Sequence, residues 1–187
     1  MRIVAGEWKG RLLAAPRGRS VRPTPERVRE AWMSILQNDL PGARVLDLFA
    51  GTGALGLEAL SRGASFTDFV DHDALSLHVL RQNIEALGAA DRCAVHRADA
   101  LSYAAVVASR APAATPSPEG DTGPHAAYEV CFADPPYRQG LASRLAGLWL
   151  DAPFSTIFGV EHESKEELPG GGDRRRYGDT AITIYRT

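Results

Sequence analysis

The sequence predicts an α/β fold, a mostly parallel sheet covered by helices on both faces. Two observations predict it. From residue 44 short apolar runs alternate with stretches of helical periodicity, the pattern of consecutive βαβ units. The first run leads into Gly51-Thr52-Gly53-Ala54-Leu55-Gly56, a glycine-rich turn that opens a helix.

The elements follow in order. Residues 2–15 alternate loosely around Gly6 and Gly10 and read as a small hairpin or ordered arm. Arg17-Gly18-Arg19-Ser20 reads as a loop. Thr24-Pro25-Glu26 is a helix start, with Thr24 as N-cap, Pro25 at the first helical position and Glu26 at the positive end of the dipole. Val28, Trp32, Ile35 and Leu36 then give the helix an inward face, and it ends before Pro41-Gly42. Strands are expected at 44–48, 66–70, 93–97, 128–133 and 156–160, with helices at about 54–62, 73–87, 100–109 and 139–149. Residues 180–185 alternate as a late, half-buried strand, and 165–176 read as a polar, Gly-rich loop. Residues 111–127, rich in Pro, Ala, Gly and Thr, read as a flexible insertion within one domain.

The 187 residues suit a single domain with its own core. Cys93 and Cys131 are too few and too far apart for zinc or a disulfide framework, and both read as small buried side chains. No metal is expected. The first residues lack an apolar signal core and no apolar run reaches about 18 residues, so a cytoplasmic protein without a membrane span is expected. The net charge of −2 hides an asymmetry. Residues 1–30 hold eight basic and three acidic side chains, a balance of +5, against −7 for the remainder. A basic arm, residues 1–24, on an acidic body at 25–187 is the distribution expected when one face meets phosphates, and Arg17, Arg19 and Arg22 are its candidate RNA contacts.

The glycine-rich turn fits either a dinucleotide or S-adenosylmethionine. Asp71, 20 residues after Gly51, ends the second strand, where a carboxylate can accept ribose hydroxyls. Asp47 stands just before the turn and would repel a pyrophosphate, which needs the helix N-terminus. A ligand with an ammonium and a sulfonium tolerates it. Asp99, after the third strand, can accept from an adenine amino group. Asp47, Phe49, Gly51, Gly53, Asp71 and Asp99 are therefore the candidate cofactor residues; the alternative role for Asp71 and Asp99 is helix capping. His72 and Asp73 read as turn residues.

Asp134-Pro135-Pro136-Tyr137 follows the fourth strand. Two prolines fix φ and supply no N–H, so the turn is rigid. An exocyclic amine of a base is a poor nucleophile because its lone pair is delocalised. Asp134 and the Pro135 carbonyl can accept its two N–H groups and aim the lone pair at a methyl donor. Tyr137 offers a ring face for stacking, so loss of its hydroxyl should be mild. Asp134, Pro135 and Tyr137 are the candidate catalytic residues.

The glycine-rich turn followed by Asp134-Pro135-Pro136-Tyr137 resembles the amino-methyltransferases of the Rossmann-like class I type. Arg22-Pro23-Thr24-Pro25-Glu26-Arg27-Val28-Arg29-Glu30, the opening Arg2-Ile3-Val4-Ala5-Gly6 and Tyr177-Gly178-Asp179-Thr180 resemble the RsmD family, over nearly the whole chain. The resemblance implies a seven-stranded sheet with an antiparallel last strand, S-adenosylmethionine as donor, and methylation of a guanine N2 in 16S ribosomal RNA within the small ribosomal subunit. It also maps cofactor contacts onto Asp47, Gly51, Gly53, Asp71, Asp99 and Asp134. A monomer is expected. The insertion at 111–127 and the acidic run Glu161 to Glu167 depart from the family's pattern. Rival readings are a DNA amino-methyltransferase, an NAD-dependent oxidoreductase and a non-catalytic RNA-binding module.

Overall fold

A computed structural model describes residues 1–15, 26–110 and 127–187. The expected cap at Thr24-Pro25, the loop at 17–20, the three arginines Arg17, Arg19 and Arg22, and all but the last residue of the 111–127 insertion lie outside the described residues.

The elements are α1 (Glu26–Leu36), β1 (Arg44–Leu48), α2 (Ala54–Ser61), β2 (Phe66–Asp71), α3 (Ala74–Leu87), β3 (Cys93–Arg97), α4 (Ala100–Arg110), β4 (Tyr128–Ala133), α5 (Leu141–Asp151), β5 (Ser155–Glu163), β6 (Asp173–Tyr177) and β7 (Thr180–Arg186). They form one seven-stranded sheet in the order β3-β2-β1-β4-β5-β7-β6. The first five strands pair in parallel, and β7 runs antiparallel to both β5 and β6. The order reverses between β1 and β4, so the crevice beyond their carboxyl ends is where such a sheet binds ligands.

The central strands are apolar on both faces because helices cover both. Val45, Phe69, Val130, Phe132 and Ile157 pack with α1, α2 and α3. Leu46, Leu48, Val70, Cys131 and Phe158 pack with α4 and α5. Trp32 of α1 meets Phe132 edge-on, with ring centroids 5.4 Å apart. It can lie so close only because residue 159 is glycine; a Cβ there would come within 2.2 Å of the indole.

The N-terminal residues belong to this core. Arg2 bridges Leu12 in antiparallel fashion, and Ile3, Trp8 and Leu13 are buried with α1 to α3. The anchor is Glu58 of α2, fully buried, whose carboxylate accepts from the Val4 N–H at 2.8 Å, the Ala5 N–H at 3.0 Å and Arg62 Nε at 2.9 Å. Charge-assisted bonds of this kind are worth roughly twice neutral ones.

Two expectations are corrected. The stretch 165–176 is not wholly loop, because its last four residues begin β6, the edge strand at the end of the sheet order. An Asp-Arg-Arg-Arg run carries no apolar alternation, yet an edge strand with one partner does not need it, and edge charges discourage pairing with another chain. Cys93 is only half-buried, because β3 is the opposite edge; Cys131, in central β4, is fully buried. Burial pushes the Cys93 thiol up to about 11. Among the described residues no helix is long and apolar enough to cross a membrane.

Candidate active site

Two turns flank the crevice. The first is residues 49–53, between β1 and α2. The ladder between β1 and β2 is extended into it by the Ala50 N–H, which donates to Val70 O at 3.0 Å. Asp71 Oδ2 accepts from the Gly51 N–H at 2.8 Å while its Oδ1 accepts from the Asp73 N–H at 2.8 Å. One carboxylate thus ties together the loops that follow β1 and β2. Each oxygen keeps a second lone pair for a ribose hydroxyl.

The three glycines are needed for different reasons. Gly53 caps α2 in the left-handed region, and a Cβ there would meet Leu80 Cδ1 at 2.3 Å. Gly56 lets α2 lie on the sheet, since a Cβ would meet Phe69 at 2.3 Å and Asp47 Oδ2 at 2.9 Å. Gly51 also has positive φ, but its Cβ would meet no protein atom nearer than 3.9 Å. The turn therefore leaves open space beside Gly51.

Asp47 is buried, and its Oδ2 accepts from the Gly56 N–H at 2.9 Å in the first turn of α2. The protein's own carboxylate therefore already occupies a helix N-terminus that a pyrophosphate would need. Burial pushes Asp47 up to about 7; the Gly56 N–H pulls it back, and the charges of Asp134 and Asp71 push it further. Two carboxylates thus act on a third, Asp47, at the crevice.

Asp99 is exposed and caps α4, with Oδ1 accepting from Ser102 N at 2.8 Å and Ser102 Oγ at 2.7 Å. These bonds hold its pKa below the usual carboxylate range. The capping role therefore exists, through Oδ1. His72 acts on Asp99 electrostatically, which places Asp99 beside the loop after Asp71. Asp73 caps α3 by accepting from the Ser76 N–H at 3.0 Å, as a turn residue.

The second turn is Asp134-Pro135-Pro136-Tyr137. It begins on the sheet, with the Asp134 N–H directed at Leu48 O at 3.4 Å. Pro135 is buried and Pro136 exposed. The half-buried Tyr137 reaches across the end of β5: its hydroxyl donates to Glu161 Oε1 at 2.9 Å and meets Thr180 Oγ1 at 2.9 Å. Glu161 is buried, at 3% exposure. The hydroxyl is therefore part of what holds the ring, so its loss is expected to cost stability as well as any activity. The sequence shows Glu161 only as the start of an acidic run and Thr180 only as the end of Tyr177-Gly178-Asp179-Thr180. They lie 24 and 43 residues from Tyr137, and neither signals a contact with it.

Among the described residues, the two non-glycine residues with positive φ are Phe49, at 62°, and Arg138, at 64°. Phe49 sits in the first turn, and Arg138 directly follows the second. Such conformations cost about 1–2 kcal/mol and gather at functional sites. The structure thus brings Asp47, Phe49, Gly51, Gly53, Asp71, Asp134, Pro135 and Tyr137 to one end of the sheet, with Asp99 at its margin.

The sequence pattern of the family described as "conserved hypothetical protein 95" matches residues 1–186. The small-subunit ribosomal RNA methyltransferase D of Escherichia coli K12 is 35% identical over 174 residues, covering 90% of this chain and 78% of its own. The protein of the same name from Haemophilus influenzae is 31% identical over 193 residues, covering 100% and 92%. A solved structure of a hypothetical protein from Thermus thermophilus superposes with a TM-score of 0.81 at 29% identity, covering 100% of this chain and 99% of that one. With the class I sheet order and both turns in place, the chain belongs to the conserved hypothetical protein 95 family, that of the RsmD methyltransferases.

Proposed function

We propose that this chain transfers a methyl group from S-adenosylmethionine to the exocyclic N2 amine of a guanine in 16S ribosomal RNA. The observation that carries the proposal is the meeting, at the β1–β4 switch point, of an acidic, glycine-lined cradle and a rigid Asp-Pro-Pro-Tyr turn. The names of the relatives supply the RNA.

The residues fit the cofactor. Gly51 leaves open space, Asp71 keeps lone pairs for ribose hydroxyls, and Asp99 keeps an oxygen for an adenine amino group. Asp47 and its acidic neighbours balance positive charge, and the strained Phe49 borders the same turn. When bound, S-adenosylmethionine supplies an electrophilic methyl group on a sulfonium.

The protein's own part is orientation and electrostatics. Asp134 and the Pro135 carbonyl accept the two N–H groups of the target amine and turn its lone pair outward. Two consecutive prolines keep that carbonyl from wandering. The Tyr137 ring, pinned through its hydroxyl to β5 and β7, is the surface on which the guanine stacks. Arg17, Arg19 and Arg22 contact RNA phosphates. The substrate is RNA within the small subunit, in the cytoplasm, and the working unit is a monomer because one chain carries every group named.

Calorimetric titration tests the cofactor half. S-adenosylmethionine and S-adenosylhomocysteine bind and raise the melting temperature by mass action, and NAD does neither. Tight binding of NAD with none of S-adenosylmethionine overturns the reading.

A further inference from the structure

Asn83 of α3 is 2% exposed and lies on the stripe of Leu80, Ile84 and Leu87, where helical periodicity calls for an apolar side chain. Its carboxamide is tied to main chain in two distant places. Oδ1 accepts from the Ala14 N–H at 2.7 Å, and Nδ2 donates to Ala14 O at 3.3 Å and to Thr52 O at 3.0 Å. Ala14 is thereby paired through both its polar groups, as a residue of a neighbouring strand would be. The remaining N–H reaches the carbonyl between Gly51 and Gly53. Only a carboxamide offers one acceptor and two donors in a plane for this task. One turn earlier on α3, Leu80 fills the space that a Gly53 Cβ would need. The glycine-rich turn thus rests on two α3 side chains, one apolar and one polar.

We propose that Asn83 is a positioning residue that couples the cofactor turn to the end of the N-terminal hairpin. The inference rests on the reading that the turn holds S-adenosylmethionine. Thr52 O and the main chain of Ala14 share one rigid amide, 31 and 69 residues away from them in sequence. A ligand that fixes the turn therefore fixes Ala14. By linkage, whatever holds the hairpin end strengthens cofactor binding by the same factor. Ala14 stands three residues before Arg17 in the sequence, so the coupling joins the cofactor turn to the start of the basic segment.

Amide hydrogen exchange at Ala14, followed by NMR with and without saturating S-adenosylhomocysteine, tests this. In the wild-type protein the ligand slows exchange at Ala14 by about fivefold or more. Asn83→Asp keeps the acceptor for the Ala14 N–H and removes the donor to Thr52. In it S-adenosylhomocysteine still binds, exchange at Ala14 no longer responds, and KM for RNA rises more than kcat falls. Unchanged Ala14 exchange in the wild-type protein on binding overturns the inference and depends on no variant folding. An equal response in Asn83→Asp overturns it as well. Failure of S-adenosylhomocysteine to bind the wild-type protein in a parallel titration overturns the cofactor reading and this inference together.

Discussion

The two sides of the crevice are built on different plans. On the β1–β2 side, carboxylates are held by main-chain N–H groups: Asp47 by Gly56, and Asp71 by Gly51 and Asp73. On the β4–β5 side, Tyr137 is held by the side chains of Glu161 and Thr180. The first plan fixes carboxylates to rigid backbone and suits a ligand of constant shape. The second fixes an aromatic ring through its hydroxyl and leaves the turn before it to receive a substrate group. In the proposed reading one side holds and the other orients, and the charge of Asp134 acting on Asp47 links them.

Asp134→Asn breaks the orienting side with the largest effect. It keeps one acceptor oxygen but loses the charge and can present an N–H₂ to the target amine. Turnover falls by a factor on the order of 10² or more, while S-adenosylhomocysteine affinity changes little. Single-turnover methyl transfer and calorimetry on the same preparation read the two numbers.

Tyr137 comes next. Tyr137→Ala removes the stacking face and costs about 1–3 kcal/mol of base binding. Tyr137→Phe keeps the face but takes a donor from the buried Glu161, a loss of about 1–3 kcal/mol in stability. Adding Glu161→Gln to Tyr137→Phe recovers part of that loss, because the buried group is then uncharged. Denaturant unfolding of the four members of this cycle measures the coupling, and additive effects would mean that the hydroxyl is incidental.

The holding side is probed through pH. Asp47 titrates near 7 in the folded protein, above its ordinary 3.8, so the native state holds this proton more tightly than the unfolded one. Its contribution to the stability of the ligand-free protein is complete below about pH 4 and is lost as pH rises through 7. A cation in the crevice favours the ionised form. S-adenosylmethionine affinity therefore rises about tenfold between pH 6 and 8, and Asp47→Asn flattens the profile. Titrations at three pH values check it.

Replacing Arg17, Arg19 and Arg22 with alanine is expected to have the smallest effect on the chemistry. RNA binding weakens and the slope of log affinity against log salt falls by about 2, with cofactor affinity unchanged. An unaltered slope removes these arginines from the RNA contact.

The same contrast explains what could be read before the structure. The holding side is local: Asp47 and Gly56 are 9 residues apart, and Gly51 and Asp71 are 20 apart, so strand, turn and carboxylate appear together in sequence. The strands β1, β2, β4 and β5 were legible because central strands are apolar on both faces, and the edge strand β3 through its apolar Cys93-Ala94-Val95. The orienting side was legible only in Asp134-Pro135-Pro136-Tyr137 itself. Its supports come from β5 and β7 and depend on the sheet being assembled. β6 escaped notice because an edge strand can be fully charged. Asn83 left one signal, a carboxamide on an apolar stripe, but its partners become neighbours only once the hairpin has packed on α3.

Small ribosomal subunits incubated with the protein and S-adenosylmethionine labelled in its methyl group, then digested to nucleosides and resolved by mass spectrometry, test the central claim most directly. The account predicts label in N2-methylguanosine from 16S RNA. Label confined to another nucleoside, or none in ribosomal RNA from a protein that binds S-adenosylmethionine, contradicts it.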